Sequence, residues 1–304
     1  MSFPVSRLKD VTEKIGSGST PRGGDSVYIS DGTSLIRSQN IYNSKFLYNG
    51  LVFIDDTISE KMKGVTINCG DVLLNITGDS VARCCVVPDN ALPARVNQHV
   101  AIIRVDSNVL DSDFLMFYLT SPSMQSKLLS WAGTGGTRKA LTKSMIEGFE
   151  VPTPELHIQK NISKKLRSYS DLIENNRRRI QLLEEFSRLI YKEWFVHLRF
   201  PGHEHVKIED GVPAGWSNGS IGDLAEVKSG FSFKSKDWLE DGNPVIKIKN
   251  ITESGEVNIA GCQCVDDSVA EKAKKFEVFA GDFLIAMTGA TVGKVGIMPR
   301  NNRR

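Results

Sequence analysis

Four sequence blocks recur in the same order at nearly one offset, and this constrains the fold more than any other feature. Leu8-Lys-Asp-Val-Thr-Glu-Lys-Ile-Gly-Ser-Gly18 returns as Ile221-Gly-Asp-Leu-Ala-Glu-Val-Lys-Ser-Gly230. Gly32-Thr-Ser-Leu-Ile-Arg-Ser-Gln-Asn-Ile41 returns as Gly242-Asn-Pro-Val-Ile-Lys-Ile-Lys-Asn-Ile251. Gly70-Asp-Val-Leu-Leu-Asn-Ile-Thr-Gly78 returns as Gly281-Asp-Phe-Leu-Ile-Ala-Met-Thr-Gly289, and Val81 to Pro88 matches Val292 to Pro299. An offset of about 210–213 residues is far longer than a solenoid repeat, so the chain carries a duplicated domain.

Within the first copy, short apolar runs (Val72–Ile76, Cys84–Val87, Val100–Val105) are bounded by Gly, Asp, Asn and Pro, which marks strands. Asp111 to Trp131 has helical spacing, with Asp111 or Ser112 as N-cap and Pro122 dividing it. The expected class is therefore α+β.

A different pattern follows. Pro152 and Pro154 close the first domain, and from Glu155 to about Phe195 there is neither Pro nor Gly. Stepping alternately by four and three gives Ile162, Leu166, Tyr169, Ile173, Asn176, Ile180, Leu183, Ser187, Ile190 and Trp194. The average period of 3.5 is that of helices wound around each other, and Asn176 would fix the register at some cost in stability. About 40 residues at 1.5 Å each make a rod of roughly 60 Å. Such a rod needs a partner helix; the other reading is one long core helix in a compact domain. Pro201-Gly202 and Gly211-Val-Pro-Ala-Gly215 then break the helix. The expected segments are a first globular domain (1–152), a long helix (153–198), a linker (199–215) and a partial second domain (216–304).

Composition enters as a filter. The 304 residues hold 38 Lys plus Arg against 36 Asp plus Glu, a net charge of +2, so the chain does not coat nucleic acid by bulk charge. A local basic face remains open. Five cysteines at irregular spacing make a poor disulfide framework and read as small hydrophobes of a reducing compartment. The first residues lack a secretory pattern and no apolar run approaches about 20 residues, so a cytoplasmic protein without membrane association is expected.

Catalytic motifs are missing. Gly289-Ala-Thr-Val-Gly-Lys294 is one residue short of a phosphate loop, with Val295 where Ser or Thr belongs. His203-Glu-His205 lacks further ligands nearby, so no metal is expected. No Asn/Asp-Pro-Pro-Tyr/Phe motif of a DNA amino-methyltransferase occurs. Polar side chains instead cluster at block ends: Thr20 and Arg22; Arg37, Gln39 and Asn40; Arg95, Asn97 and Gln98; Thr137, Arg138 and Lys139. Arg, Asn and Gln can pair with base edges, while Thr and Lys suit phosphates. These residues are the DNA-binding candidates; the helix-pairing candidates are the seam residues above.

The duplicated Gly-Asp-Val/Phe-Leu…Thr-Gly block, the Leu-Ile-Arg-Ser-Gln-Asn-Ile turn, Asn97-Gln98-His99, and Pro152-x-Pro154-x-x-x-x-Gln159 entering a long helix resemble the specificity subunit of type I restriction–modification enzymes. The resemblance implies two target-recognition domains that each read half of a split DNA site, held apart by paired helices. It implies methyltransferase subunits on those helices that carry S-adenosylmethionine and flip the target adenine. It further implies a separate motor-nuclease subunit that uses ATP and magnesium. This chain would be non-catalytic and hold no cofactor of its own. The second copy has no counterpart of Ala91–Glu150; on the repeat arithmetic a complete chain would run to roughly 400 residues. Two explanations stay open: truncation within the second domain, or homodimers that pair through the helix and rebuild a symmetric reader. The alternative function is an interaction protein that binds methyltransferase subunits, or itself, without reading DNA.

Overall fold

The computed structural model describes residues 3–133 and 139–300. The chain divides into two compact units, Met1–His197 and Leu198–Arg304.

The first unit is built on two four-stranded sheets. Its strands are β1 (Thr12–Ser17), β2 (Thr33–Ile36), β3 (Val52–Ile54), β4 (Thr66–Ile67), β5 (Val72–Asn75), β6 (Cys84–Val86), β7 (Ala94–Val96) and β8 (Val100–Val105). One sheet runs β3-β2-β7-β4, with β7 parallel to β2 and the remaining pairs antiparallel. The other runs β1-β8-β5-β6, antiparallel throughout. The continuous apolar runs noted above are strands buried on both faces. Alternate residues point opposite ways, and on β5 Val72 and Leu74 enter one core cluster while Leu73 enters the other. The first cluster lies between this sheet and helices α2 (Ser112–Leu119), α3 (Pro122–Gly133) and α4 (Lys143–Glu147); the second lies between the two sheets. A short helix, α1 (Asp56–Lys61), flanks the outer side of the first sheet, where Leu35, Ile54 and Met62 meet.

Local chemistry sets the ends. Asp111 caps α2, its Oδ1 accepting from Phe114 N at 2.9 Å, and Pro122 begins α3, where its missing N–H costs nothing. Val5–Arg7 pairs antiparallel with Glu150–Pro152, which brings the chain start beside the entry to the long helix α5 (Leu156–Tyr191). Gln159, fully buried, roots α5: it donates to Val109 O (2.9 Å) and Pro154 O (2.7 Å) and accepts from Asp111 N (2.9 Å). Ser163 donates to Asp111 Oδ1 at 2.6 Å, and Arg167 pairs with Asp113. Beyond this root the helix touches the domain through the exposed ion pair of Glu174 with Lys45 (2.5 Å). Leu166, Tyr169, Ile173, Ile180 and Leu183 are exposed, so among the described residues of the first unit α5 is not a core helix. A π turn over Lys192–Val196 ends the helix.

The second unit repeats the frame on fewer elements. Strands β9 (Asn243–Val245) and β10 (Gln263–Val265) pair as β2 and β3 do, and β11 (Phe283–Ile285) and β12 (Val295–Ile297) pair as β5 and β6 do. Asp266 caps α6 (Asp267–Lys272) through Val269 N, as Asp55 caps α1 through Ile58 N. Gly32 and Gly242 both take positive φ, and a Cβ on either would stand 2.6 Å from a carbonyl oxygen, Ile54 O or Val265 O. Among the described residues of this unit, nothing takes the place of β7 or β8. The segment expected as linker contains a small hairpin, Ile208–Glu209 with Val212–Pro213.

Cys84 and Cys85 are buried and burial pushes both thiols up, Cys85 to about 12. They behave as core hydrophobes rather than nucleophiles. No helix among the described residues is long and apolar enough to cross a membrane.

Candidate nucleic-acid interface

One end of the sheet sandwich in the first unit collects most of the polar candidates. Strands β1, β2, β5 and β7 all leave their sheets at this end, and β8 begins there. The loops they feed are tied together. Gly18 N donates to Val100 O (2.9 Å) and Ser19 N to Val96 O (3.1 Å). A Cβ on Gly18 would lie 2.2 Å from Asn97 O, so only glycine permits this approach. Gln98 N reaches Thr20 Oγ1 at 3.5 Å. Thr77 Oγ1 and His99 Nδ1 share a 2.7 Å hydrogen bond, and Gly78 N donates to Lys139 O at 3.1 Å. Asn75, buried at the end of β5, donates from Nδ2 to Ser38 O at 2.8 Å and so ties the β2 loop to the neighbouring sheet.

Thr20, Arg22, Gln39, Gln98 and Lys139 are exposed on these loops. Arg37 is half-buried. Its Nη2 donates to Gly50 O (2.7 Å), its guanidinium lies over Tyr28 at 5.4 Å, and its Nε is buried without a partner among the described residues. Gln39 Nε2 donates to the same carbonyl at 3.1 Å. Such an arrangement can present donors and acceptors to base edges, with cations for phosphates beside them.

Three candidates stand differently from what their residue type suggests. Asn40 is fully buried: its Oδ1 accepts from Arg37 N (3.0 Å) and its Nδ2 donates to Leu47 O (2.9 Å), so its amide shapes the loop from within. Asn97 is buried too and accepts from His99 N at 3.2 Å. Arg95 is not brought to this edge. It lies within β7 and faces away from the inter-sheet core, donating from Nε to Ser59 O of α1 (3.1 Å) and from Nη1 to Ala94 O (3.0 Å). Burial lowers its pKa, partly offset by the Glu60 carboxylate. Thr137 and Arg138 lie outside the described residues. The sequence reading passed over Thr77 at this edge, and Arg83, stacked 4.3 Å over the exposed Tyr42 ring. The signal for Arg83 was the basic residue both copies hold there, Arg83 and Lys294.

Of the helix-pairing candidates, Ile162 packs against the first core cluster and Ile190 is half-buried. Leu166, Tyr169, Ile173, Asn176, Ile180, Leu183 and Trp194 are exposed. Among the described residues, no three His, Cys, Asp or Glu side chains gather as a metal site; His203 Nδ1 instead faces Phe200 O at 2.9 Å.

The family model described as type I restriction modification DNA specificity domain matches residues 2–185 and 213–301. The MjaIX specificity subunit of a type I restriction enzyme of Methanocaldococcus jannaschii is 26% identical over 261 residues, covering 83% of this chain and 58% of that protein. The MjaVIII specificity subunit of the same organism is 22% identical over 261 residues, 83% of this chain and 59% of its own length. The chain thus spans under two thirds of these relatives. A crystal structure of a type I restriction-modification S subunit from M. genitalium aligns over 99% of this chain and 74% of its own, with a TM-score of 0.59 at 14% identity, which is a likeness of fold.

Proposed function

Because the chain belongs to the family of type I restriction modification DNA specificity domains, we propose that it reads DNA sequence through the loop edge of its first unit and leaves all chemistry to partner subunits. The observation that carries this reading is the convergence of loops from both sheets, with Thr20, Arg22, Arg37, Gln39, Gln98 and Lys139 at one end of a rigid sandwich. Loops tied by backbone bonds offer side chains in fixed directions, which base-edge pairing requires. Thr137 and Arg138 belong to this reading as phosphate and base contacts.

The exposed stripe on α5 supports a spacer role. Leu166, Tyr169, Ile173, Ile180 and Leu183 form an apolar row on a helix otherwise rich in charge, the pattern of a helix that pairs. We assign to this stripe a partner helix, and to the paired helices the docking of DNA methyltransferase subunits. S-adenosylmethionine, ATP and magnesium then act on those partners. The same stripe would serve an interaction protein that binds methyltransferase subunits without reading DNA.

One selection separates the two. The chain, with its methyltransferase subunits, is challenged with random duplex libraries. Enrichment of a defined half-site supports reading, and a palindrome supports a symmetric homodimer. A complex that assembles but enriches nothing overturns the reading and leaves the interaction protein. Arg37→Ala and Gln39→Ala should each relax preference by about 1–3 kcal/mol at one base position where the side chain pairs bidentately.

A further inference from the structure

The two copies share a side-chain arrangement that lies partly outside the recurring blocks. In the first unit the Arg37 guanidinium lies over the Tyr28 ring at 5.4 Å. In the second, Lys247 stands at the Arg37 position and its Nζ lies over the Trp238 ring at 3.4 Å. The two rings occupy equivalent places. Each follows a short 3-10 turn, Gly24–Val27 or Ser235–Asp237. Each precedes a residue whose N–H donates to the neighbouring strand, Ile29 to Phe53 O (3.0 Å) and Leu239 to Cys264 O (2.8 Å). The cations are seated alike as well: Arg37 N donates to Asn40 Oδ1 and Lys247 N to Asn250 Oδ1, both at 3.0 Å. Both members of the pair have changed identity, yet the contact of cation and ring is kept. The duplicated frame alone does not enforce such a contact. Arg83 lies over Tyr42 at 4.3 Å, but in the second copy Thr252 replaces Tyr42, and Lys294 pairs with Glu253 at 2.9 Å.

The ring is what orients Arg37. Of the guanidinium donors, Nη2 is bonded to Gly50 O, while Nε is buried without a partner among the described residues. One hydrogen bond leaves a long side chain free to turn about it. Elsewhere in this unit a carboxylate fixes the fork: Arg104 donates from Nε and Nη2 to Asp71, both at 2.8 Å. No carboxylate among the described residues does this for Arg37. An aromatic face within about 6 Å attracts a guanidinium and sets its place without neutralising it. Tyr28 is anchored in turn, packing against the cluster of Leu35, Ile54 and Met62. Its hydroxyl makes no hydrogen bond among the described residues, so the ring surface is what it offers.

We propose that Tyr28 is a positioning residue for base reading: its ring fixes the direction in which Arg37 presents its guanidinium to a base edge. This rests on the DNA reading proposed above and adds to it a residue that touches no DNA. A flexible cation reaches phosphates in many poses, whereas pairing with a base edge needs one pose. A ring supplies that pose and keeps the full charge available.

The experiment measures base preference of the full chain assembled with its methyltransferase subunits. The duplexes carry the half-site it enriches and each single-base change in it. Arg37→Ala and Gln39→Ala mark the base position that each side chain reads. Tyr28→Leu should lower discrimination at the Arg37 position by about two- to fivefold. It should leave the Gln39 position as it was, although both side chains share Gly50 O. Tyr28→Phe and Tyr28→Trp should keep the wild-type preference. On the Arg37→Ala chain Tyr28→Leu should add nothing, because the two side chains act as one unit. Five results would each overturn the proposal while the DNA reading stands: no effect of Tyr28→Leu, equal loss at the Gln39 position, loss of affinity equal for every sequence, Tyr28→Phe behaving as Tyr28→Leu, or additive effects of Tyr28→Leu and Arg37→Ala. A wild-type complex that enriches no half-site overturns the DNA reading and this proposal with it.

Discussion

Leu8 and Ile221 occupy the same place in two copies of one sequence block, yet Leu8 is 0% exposed and Ile221 74%. Val11 and Leu224 stand at 3% and 90%, Val72 and Phe283 at 0% and 63%. The local frame is nevertheless the same in both: equal strand registers, equal helix caps, equal left-handed glycines. The difference teaches that a repeat's turns and hairpins are coded within each block, while its burial depends on strands supplied from elsewhere. β7 and β8 take the centre of each sheet in the first unit, and every core cluster of the inner layers passes through them. Full burial of one Val, Leu or Ile side chain is worth about 1.5–3 kcal/mol, so the described residues of the second unit gain much less from burial than those of the first.

The bluntest way to break this comparison is limited proteolysis. Cleavage within residues 221–230 and 279–298 should outpace cleavage within 8–17 and 72–86 by at least about a hundredfold, because cutting follows local opening. Equal rates, read by mass spectrometry, would end the contrast. Next come paired core substitutions: Leu74→Ala should cost about 2–5 kcal/mol in urea unfolding of the first unit, and Ile285→Ala within about 0.5 kcal/mol in the second. The carboxylates follow. Asp71→Asn should cost about 3 kcal/mol by stranding Arg104, with Asp282→Asn close to neutral on the same measurement. Caps should behave alike in both copies: Asp55→Ala and Asp266→Ala each lose about 1 kcal/mol, seen as faster amide exchange in α1 and α6. The smallest effect is Ala82→Gly. Ala82 holds φ at 72°, where the second copy has Gly293 at 86°, so the exchange should stabilise the first unit by up to about 1 kcal/mol.

Much of this frame was legible in the sequence because it is local. The repeat, the Asp111 cap, the break at Pro122 and the helix after Pro154 each depend on a few neighbouring residues. The candidate site was less so. Arg95 follows Ala94 by one step, and a strand turns consecutive side chains to opposite faces, so its place depends on which face of β7 meets the other sheet. That in turn rests on parallel pairing with β2, some 60 residues away in the chain. Asn40 looks like a reader by type, but Asn250 repeats it with the same bond to the preceding backbone, Lys247 N at 3.0 Å. Its neighbours do change between copies: Arg37 to Lys247, Ser38 to Ile248, Gln39 to Lys249, and Asn75 to Ala286. Asn40 and Asn250 shape the loop from within in both copies, while of the residues that differ Gln39 is exposed, Arg37 and Ser38 are half-buried, and Asn75 is buried and holds the loop to the neighbouring sheet.

The buried root of α5 has a mechanical consequence. Thirty-six residues of helix reach about 54 Å, so each degree of play at the root moves the far end by about 1 Å. DNA steps by 3.4 Å per base along a strand; under the spacer role proposed above, a swing of roughly 3–4° would misplace a reading surface at the far end by a whole step. Gln159, bonded on both sides of its amide and sealed from water, together with Ser163 on Asp111, stiffens the root against that swing.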